Sequence, residues 1–326
     1  MKRIGLITSG GDAPGMNACI RAITKYCLNS GIVPVGFYDG YQGMIENRCV
    51  ELNFTDVDNI IQQGGTILGT ARSEEFRTVS GRLKAIANLK SNNIDALICI
   101  GGDGTFAGAN ILSEEMNIPV IGIPGTIDND ISGTDHSIGY DTALNTVIDA
   151  IDKIRDTASS HHRIFFVEVM GRNAGFIALN SAMASGAESV LIPEELTDIN
   201  ALAKDLKEQN KGKRGSIVIV AEGDDAGGAI EIMKKVEPLM EGYSLRSSIL
   251  GHIQRGGRPS AFDRLLATRM GVFAVDQLLN GKSKIVIGSK GEDLIISSID
   301  SAVKNHSVPD LSKLKLLSKL RTNGKA

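Results

Sequence analysis

The sequence predicts an α/β protein with mostly parallel sheets. Short β-branched apolar runs recur along its length, at 4–8, 96–100, 118–123, 164–169 and 217–221. Each is followed by glycine or a polar loop, and the stretches between them carry helical periodicity. That alternation is the β-α-β rhythm of a parallel sheet covered on both faces.

Ile4 to Thr8 reads as the first strand, followed by a glycine loop and a helix from Met16 to Leu28. Cys19, Ile20, Ile23 and Cys27 recur in that helix at spacings of three and four, and Gly31 stands where a terminating glycine belongs. The most helical window is Thr142 to Thr157, where Leu144, Val147, Ile148, Ile151 and Ile154 form one core-facing stripe. Lys204 to Arg214 is polar and reads as the end of a surface helix. The tail after Ser307 is basic and weakly patterned, and a change of domain is expected near Gly139.

At 326 residues the chain suits one large or two medium domains. Its 42% hydrophobic and 22% charged residues describe a globular protein with a buried core. An aromatic share of 4% with no Trp gives no stacking platform for single-stranded nucleic acid. A net charge of −3 without a basic block gives no footing on nucleic acid or a membrane surface. Cys19, Cys27, Cys49 and Cys99 show no C-x-x-C pair or metal-ligand spacing, which suits small buried side chains in a reducing cytosol. The apolar run after Met1-Lys2-Arg3 ends at Ile7, too short for a secretory signal, and no stretch is long enough to span a membrane. A soluble cytoplasmic protein is expected.

In an open parallel sheet, ligands bind outside the carboxyl ends of the strands. The unusual residues of this chain cluster after predicted strands: 8–15 (TSGGDAPG), 101–105 (GGDGT), 124–130 (PGTIDND), 170–172 (MGR), 222–224 (EGD) and 251–257 (GHIQRGG). Glycines let backbone N–H groups approach a phosphate, and a following helix adds its positive end. Neither glycine loop is a P-loop of the form G-x-x-x-x-G-K-[ST]. Gly102 to Ala107 fits a loose dinucleotide pattern, yet Asp103 would aim a carboxylate at the pyrophosphate. A carboxylate there makes sense if it holds Mg²⁺ bridging phosphate oxygens. Asp128 and Asp130 flank Asn129; alone, the segment also fits Asx-turn chemistry. Beside a metal-phosphate loop, Asp128 becomes the candidate base for phosphoryl transfer to an alcohol. Arg72, Arg163, Arg172, Arg246, His252 and Arg255 lie in or beside such loops and offer cations for an anionic acceptor. His161 and His162 would point to opposite faces of a strand, so no metal role is assigned to them.

These residues resemble the bacterial-type, ATP-dependent 6-phosphofructokinases, from Lys2 to about Ser301. The likeness rests on TSGGDAPGMNA (8–18), GGT (64–66), GGDGT (101–105), PGTIDNDI (124–131), VEVMGR (167–172) and GHIQRGG (251–257). It implies two α/β/α sandwich domains with the active site in the cleft between them. Residues 1–139 with 252–304 would bind ATP, and 140–251 with 305–326 would bind fructose 6-phosphate. It also implies that Gly11, Arg72, Ser73, Gly102, Asp103, Gly104 and Thr105 hold ATP, with Asp103 on the Mg²⁺ side. Thr126, Ile127 and Asp128 would face the sugar, Asp128 taking the proton from its 1-hydroxyl. Arg172 would steady the transferring group, while Met170, Gly171 and Glu222 contact the sugar. Arg163 and Arg246 would reach the 6-phosphate from a neighbouring subunit, alongside His252 and Arg255, which implies a homotetramer. An effector site for ADP or phosphoenolpyruvate is implied at Arg21, Lys25, Arg155, Gly186, Glu188, Lys211 and Lys213. Lys25 and Phe54 stand where such enzymes carry arginine, and the loss of two bidentate cations should weaken phosphate capture. Ser73 replaces a common aromatic beside Arg72.

Two other readings compete, a pyrophosphate-dependent phosphofructokinase and a non-catalytic nucleotide sensor. The sensor reading predicts loss of Asp103, Asp128 or Arg172, and all three are present. Pyrophosphate-using relatives typically carry Asp and Lys where this chain has Gly104 and Gly125. A side chain at Gly104 would fill the space that the α-phosphate of ATP needs. Turnover is therefore expected to be faster with ATP than with pyrophosphate at matched concentrations, and the reverse order overturns this choice of donor.

Overall fold

The computed structural model describes residues 1–210 and 215–320. In chain order the elements begin β1 (Arg3–Thr8), α1 (Met16–Asn29), β2 (Val33–Phe37), α2 (Tyr41–Glu46), β3 (Cys49–Glu51) and α3 (Val79–Ser91). There follow β4 (Ala96–Gly101), α4 (Asp103–Met116), β5 (Val120–Pro124), α5 (Tyr140–Ser160), β6 (Arg163–Val169), α6 (Phe176–Ser185) and β7 (Ser189–Leu191). The chain continues through α7 (Ile199–Gln209), β8 (Ser216–Ala221), α8 (Ala229–Val236), β9 (Ser244–Ile249) and α9 (Ala261–Leu279). It ends with β10 (Ile285–Lys290), β11 (Asp293–Ser298), α10 (Ile299–Lys304) and α11 (Ser312–Leu320).

The backbone packs as two compact units. Unit 1 comprises residues 1–127, 131–142 and 255–307; unit 2 comprises 128–130, 143–254 and the residues from Val308 on. Unit 1 carries a seven-stranded sheet in the order β11-β10-β5-β4-β1-β2-β3. Its central pairs are parallel, while β3 on β2 and β11 on β10 are antiparallel. Unit 2 carries a four-stranded, all-parallel sheet in the order β7-β8-β6-β9.

Apolar runs at 4–8, 96–100, 118–123, 164–169 and 217–221 all lie on central strands, because a strand buried on both faces must be apolar throughout. Strands toward the two sides of the unit 1 sheet were hidden by composition. β2 contains Pro34 and Gly36, poor strand residues, and Pro34 contributes its carbonyl to Leu52 N–H at 2.9 Å. β11 is half-solvated, with none of its residues buried, and Asp293, Ser297 and Ser298 cut short its apolar run. The basic tail after Ser307 forms α11.

In unit 1 the buried cluster includes Ile7, Phe37, Leu97, Cys99, Phe106, Leu112 and Val120, while α1 lies along α9. In unit 2 Phe166, Val218 and Val220 pack with Leu202, Leu206 and Ile232. Each such side chain contributes about 1.5–3 kcal/mol by leaving water. Three of the four cysteines lie inside these cores. Burial pushes the Cys27 and Cys99 thiols up to about 12, and raises Cys19 further. Cys49 is half-buried and less shielded. In a native-state thiol titration with a chromogenic disulfide reagent, Cys49 should react first and the others only on unfolding. Equal reaction of all four would contradict this burial.

Candidate active site

The motif loops of unit 1 are bound to one another by backbone. Ser9 N–H donates to Ile100 O at 3.1 Å, and Gly125 N–H donates to Gly101 O at 2.9 Å. Thr105 Oγ1 donates to Ser9 O at 3.0 Å, and Tyr41 Oη donates to Thr105 O at 2.5 Å. Gly101 is needed here for its missing side chain: a Cβ would run into Ser9 O and the Thr105 hydroxyl. The ends of β1, β4 and β5 are thereby held as one rigid rim.

Gly102 opens α4 and Asp103 sits in its first turn, both half-buried, with Thr105 buried behind them. The α4 N-terminus has no side-chain cap among the described residues, and the same holds for α1 after Gly15 and α6 after Gly175. Side chains take that place at other helices, where Thr78 caps α3, Asp198 caps α7, Ser260 caps α9 and Ser298 caps α10, while α2 after Gly40 and α8 after Gly228 also lack one. At α4, which starts behind the GGDGT loop, the first turn thus offers N–H groups to an external anion. A Cβ on Gly104 would have no atom within 4 Å.

Thr70 Oγ1 donates to Gly10 O at 2.8 Å, which brings the exposed Arg72 beside the first glycine loop. Ser73 Oγ donates to Gln42 Oε1 at 2.6 Å and accepts from Phe76 N–H at 3.1 Å, while Phe76 stacks on Tyr41 at 4.0 Å. Arg255 lies on this same loop: its guanidinium rests where a Gly11 Cβ would be and donates to Asp12 O at 3.2 Å. Thr126 and Ile127 are buried, and Thr126 O accepts from Ser137 Oγ at 2.8 Å.

In unit 2 Asp128, 2% exposed, has its Oδ2 3.4 Å from Nε of Arg172, whose side chain is 45% exposed. Arg172 sits in left-handed backbone at φ 52°, a conformation that costs about 1–3 kcal/mol in a non-glycine residue. Glu222 holds it there, since its Oε1 accepts from Arg172 N–H at 2.8 Å and Gly171 N–H at 3.3 Å. Gln254, fully buried, accepts from Met170 N–H at 3.1 Å through Oε1. Glu194 accepts from Gly175 N–H at 2.8 Å.

Arg163 begins β6, whereas Arg172 follows its carboxyl end. A strand rises roughly 3.3 Å per residue, so these arginines are separated by roughly 20 Å of sheet. Arg163 therefore stands at the wrong strand end to join Met170, Gly171 and Arg172 within one chain. Arg246 is exposed on β9 opposite Phe165, and His252 is exposed on the turn beyond.

Of the expected effector residues, three meet in unit 2. Arg155 Nη2 donates to Ser185 O at 3.0 Å and Gly186 O at 3.1 Å, with Nη1 3.6 Å from Glu188. Arg21 and Lys25 lie one turn apart on α1 in unit 1. Lys211 and Lys213 lie outside the described residues. Reasoning on sequence overlooked Gln254, Glu194 and Asn17. Asn17 is buried and binds Gln63 O, Gly64 O and Ile67 N–H, fixing the GGT loop. Gln254 lies within GHIQRGG and Asn17 within TSGGDAPGMNA, and for Asn17 a polar residue between apolar Met16 and Ala18 was the available signal.

A family model described as phosphofructokinase matches residues 3–278. ATP-dependent 6-phosphofructokinase 2 of Bacteroides thetaiotaomicron is 51% identical over 306 residues, 94% of each chain. ATP-dependent 6-phosphofructokinase 1 of Thermus thermophilus is 51% identical over 317 residues, covering 97% of this chain and 98% of the relative. The phosphofructokinase structure from Saccharomyces cerevisiae superposes with a TM-score of 0.88 at 36% identity. That match covers 93% of this chain, which spans 45% of the yeast one.

Proposed function

The chain belongs to the phosphofructokinase family, and on that footing we propose that it is an ATP-dependent 6-phosphofructokinase. It moves the γ-phosphoryl of ATP to the 1-hydroxyl of fructose 6-phosphate, giving fructose 1,6-bisphosphate and ADP. The observation that carries this reading is 51% identity, over 94% of each chain, with a relative named for that activity.

Unit 1 would hold ATP on Gly11, Arg72, Ser73 and the loop Gly102 to Thr105, where uncapped N–H groups at α4 meet phosphate oxygens. Open space at Gly104 suits ATP, and at Gly125 a Cβ would already press on Ile100 and Met16 at 3.0 and 3.1 Å. Among the described residues no three or more His, Cys, Asp or Glu gather into a metal cage. A lone carboxylate in a phosphate loop fits Mg²⁺, which keeps waters and takes its other ligands from phosphates. Asp103 would hold the ion, whose charge offsets that of the transferring group.

Asp128 would take the proton of the 1-hydroxyl, with Thr126 and Ile127 lining the approach. Arg172, beside Asp128, would place its guanidinium against the phosphoryl oxygens. Glu222 and Gln254 orient the backbone of Met170, Gly171 and Arg172 that the sugar would meet. His252 would bind the 6-phosphate, joined by Arg163 and Arg246 from a second copy, because β6 and the paired β9 hold them back from the strand end where Arg172 sits. That sharing supports a homotetramer. Arg255 would have to leave Asp12 O to join them. No helix among the described residues is long and apolar enough to cross a membrane, and four free cysteines, three of them buried, suit the reducing interior of a cytoplasmic enzyme.

An ADP or phosphoenolpyruvate effector would use Arg21, Lys25, Arg155, Gly186, Glu188, Lys211 and Lys213. Lys25 already pairs with Asp58 at 3.2 Å and lies 5.9 Å from the Phe54 ring centre. An effector phosphate would have to compete for a cation of lower bidentate capacity.

Two outcomes are expected. In a coupled assay with fructose 6-phosphate, Mg²⁺ and ATP, Asp128→Ser should lower turnover roughly 10²–10⁴-fold; a near-normal rate would refute the mechanism. ADP should activate the purified enzyme weakly or not at all, and strong activation would count against the reading of Lys25 and Phe54.

A further inference from the structure

Asp263, in the first turn of α9, is 0% exposed and takes no part in the site described above. Its oxygens are divided between two residues of one segment. Oδ1 accepts from Gly139 N–H at 2.9 Å, and Oδ2 accepts from Thr142 N–H at 2.8 Å and the Thr142 hydroxyl at 2.5 Å. The Thr142 hydroxyl in turn accepts from Ser260 N–H at 2.9 Å, and Ser260 Oγ donates to Asp141 at 2.5 Å. Burying a carboxylate costs several kcal/mol unless its neighbours replace water. Capping α9 does not require that charge, because Ser260 already accepts from Asp263 N–H at 3.2 Å.

The clamped segment leads to the reacting loop. Ile138 N–H donates to Pro124 O at 2.9 Å, and Ser137 Oγ donates to Thr126 O at 2.8 Å. On its other side the segment presses on the first glycine loop: a Cβ on Gly139 would meet Ala13 at 2.6 Å, and one on Gly15 would meet Asp263 at 3.6 Å. We propose that Asp263 is a positioning residue for phosphoryl transfer, fixing segment 137–142 and through it the backbone of Thr126 that leads into Asp128. This rests on the kinase reading above.

Burial pushes the Asp263 carboxyl up to about 6, opposed by its donors and assisted by Asp141. Asp141 is the charged neighbour from α5. Arg264 on α9 donates instead to Pro259 O, 13–15 and 137–139 carry no charge, and His136, the titratable residue beside that segment, stands edge-on to Phe262 at 5.0 Å. Protonation would turn one acceptor oxygen into a donor facing donors and open the clamp. A carboxyl raised in the fold adds stability as pH falls from about 6 toward its ordinary 3.8. Acid therefore loosens the clamp while this group's contribution to stability rises.

The test measures kcat, both KM values and thermal midpoint for the full-length wild type, Asp263→Asn, Thr142→Val and Thr142→Ser, across the acid-to-neutral range. Asp263→Asn sets an amide N–H against a donor, and should lower kcat about 10–100-fold with each KM changed less than about 3-fold, the scale of a small misplacement. Thr142→Val should lower kcat in the same direction by less, and Thr142→Ser should recover most of it. The acid limb of wild-type kcat near pH 6 should be absent from Asp263→Asn. Wild-type kcat and acid limb in Asp263→Asn would overturn the proposal. So would a Thr142→Val loss that tracks unfolding and is not recovered by Ser. A wild type inert toward ATP and fructose 6-phosphate would refute the kinase reading itself, whereas an active wild type with unaltered variants refutes only the role of Asp263.

Discussion

The N–H of Gly125 meets the carbonyl of Gly101, and the N–H of Ser9 meets the carbonyl of Ile100. These bonds extend the ladder of β1, β4 and β5 past the strands and into the loops. Such closeness tolerates no side chain at Gly101 and recruits the Thr105 hydroxyl as a further tie. Groups that must meet a phosphate within tenths of an ångström are set on a rim with the rigidity of the sheet itself. Position, more than the strength of any one contact, is what such a site supplies to phosphoryl transfer.

A second constraint is the division among helix starts. At α3, α7 and α10 a threonine, aspartate or serine side chain satisfies first-turn N–H groups, through Thr78, Asp198 and Ser298. Behind the GGDGT loop, Gly102 stands at the cap of α4 and brings no side-chain acceptor of its own. With glycine at the cap, the lost side-chain acceptor costs only roughly a few tenths of a kcal/mol. Unit 2 arranges its charge differently. There Glu222 constrains the backbone of Arg172 in a left-handed turn, so the guanidinium beside Asp128 is aimed by strain held elsewhere.

Much of the fold was legible because a central parallel strand must be apolar on both faces, and the runs ending at Thr8, Ile100, Ile123, Val169 and Ala221 announce themselves. Strands toward the sheet sides gave no such signal: β2, between β1 and β3, carries Pro34 and Gly36, and β11 at the edge is half-solvated with no buried residue. The candidate site was legible where its chemistry is local in sequence, as in Asp103 beside two glycines or Asp128 beside Asn129 and Asp130. It was not legible where a residue acts across long sequence distance. Asp263 reads as an ordinary first-turn carboxylate of α9, yet it answers Gly139 and Thr142, which lie far earlier in the chain.

By itself the sequence determined the α/β class, the family motifs and the residue types able to hold phosphate, metal and proton. Those are properties of short segments, set by periodicity, glycine and charge. Only the tertiary structure decided which partners each group meets. Arg255 lies against Gly11, Arg163 is held a full strand length from Arg172, and Lys25 is paired with Asp58. The physical reason is that strand order and register bring together groups whose sequence separation carries no information about distance. A side chain's charge is written in the chain, but the field in which it acts is made by neighbours that only folding assembles.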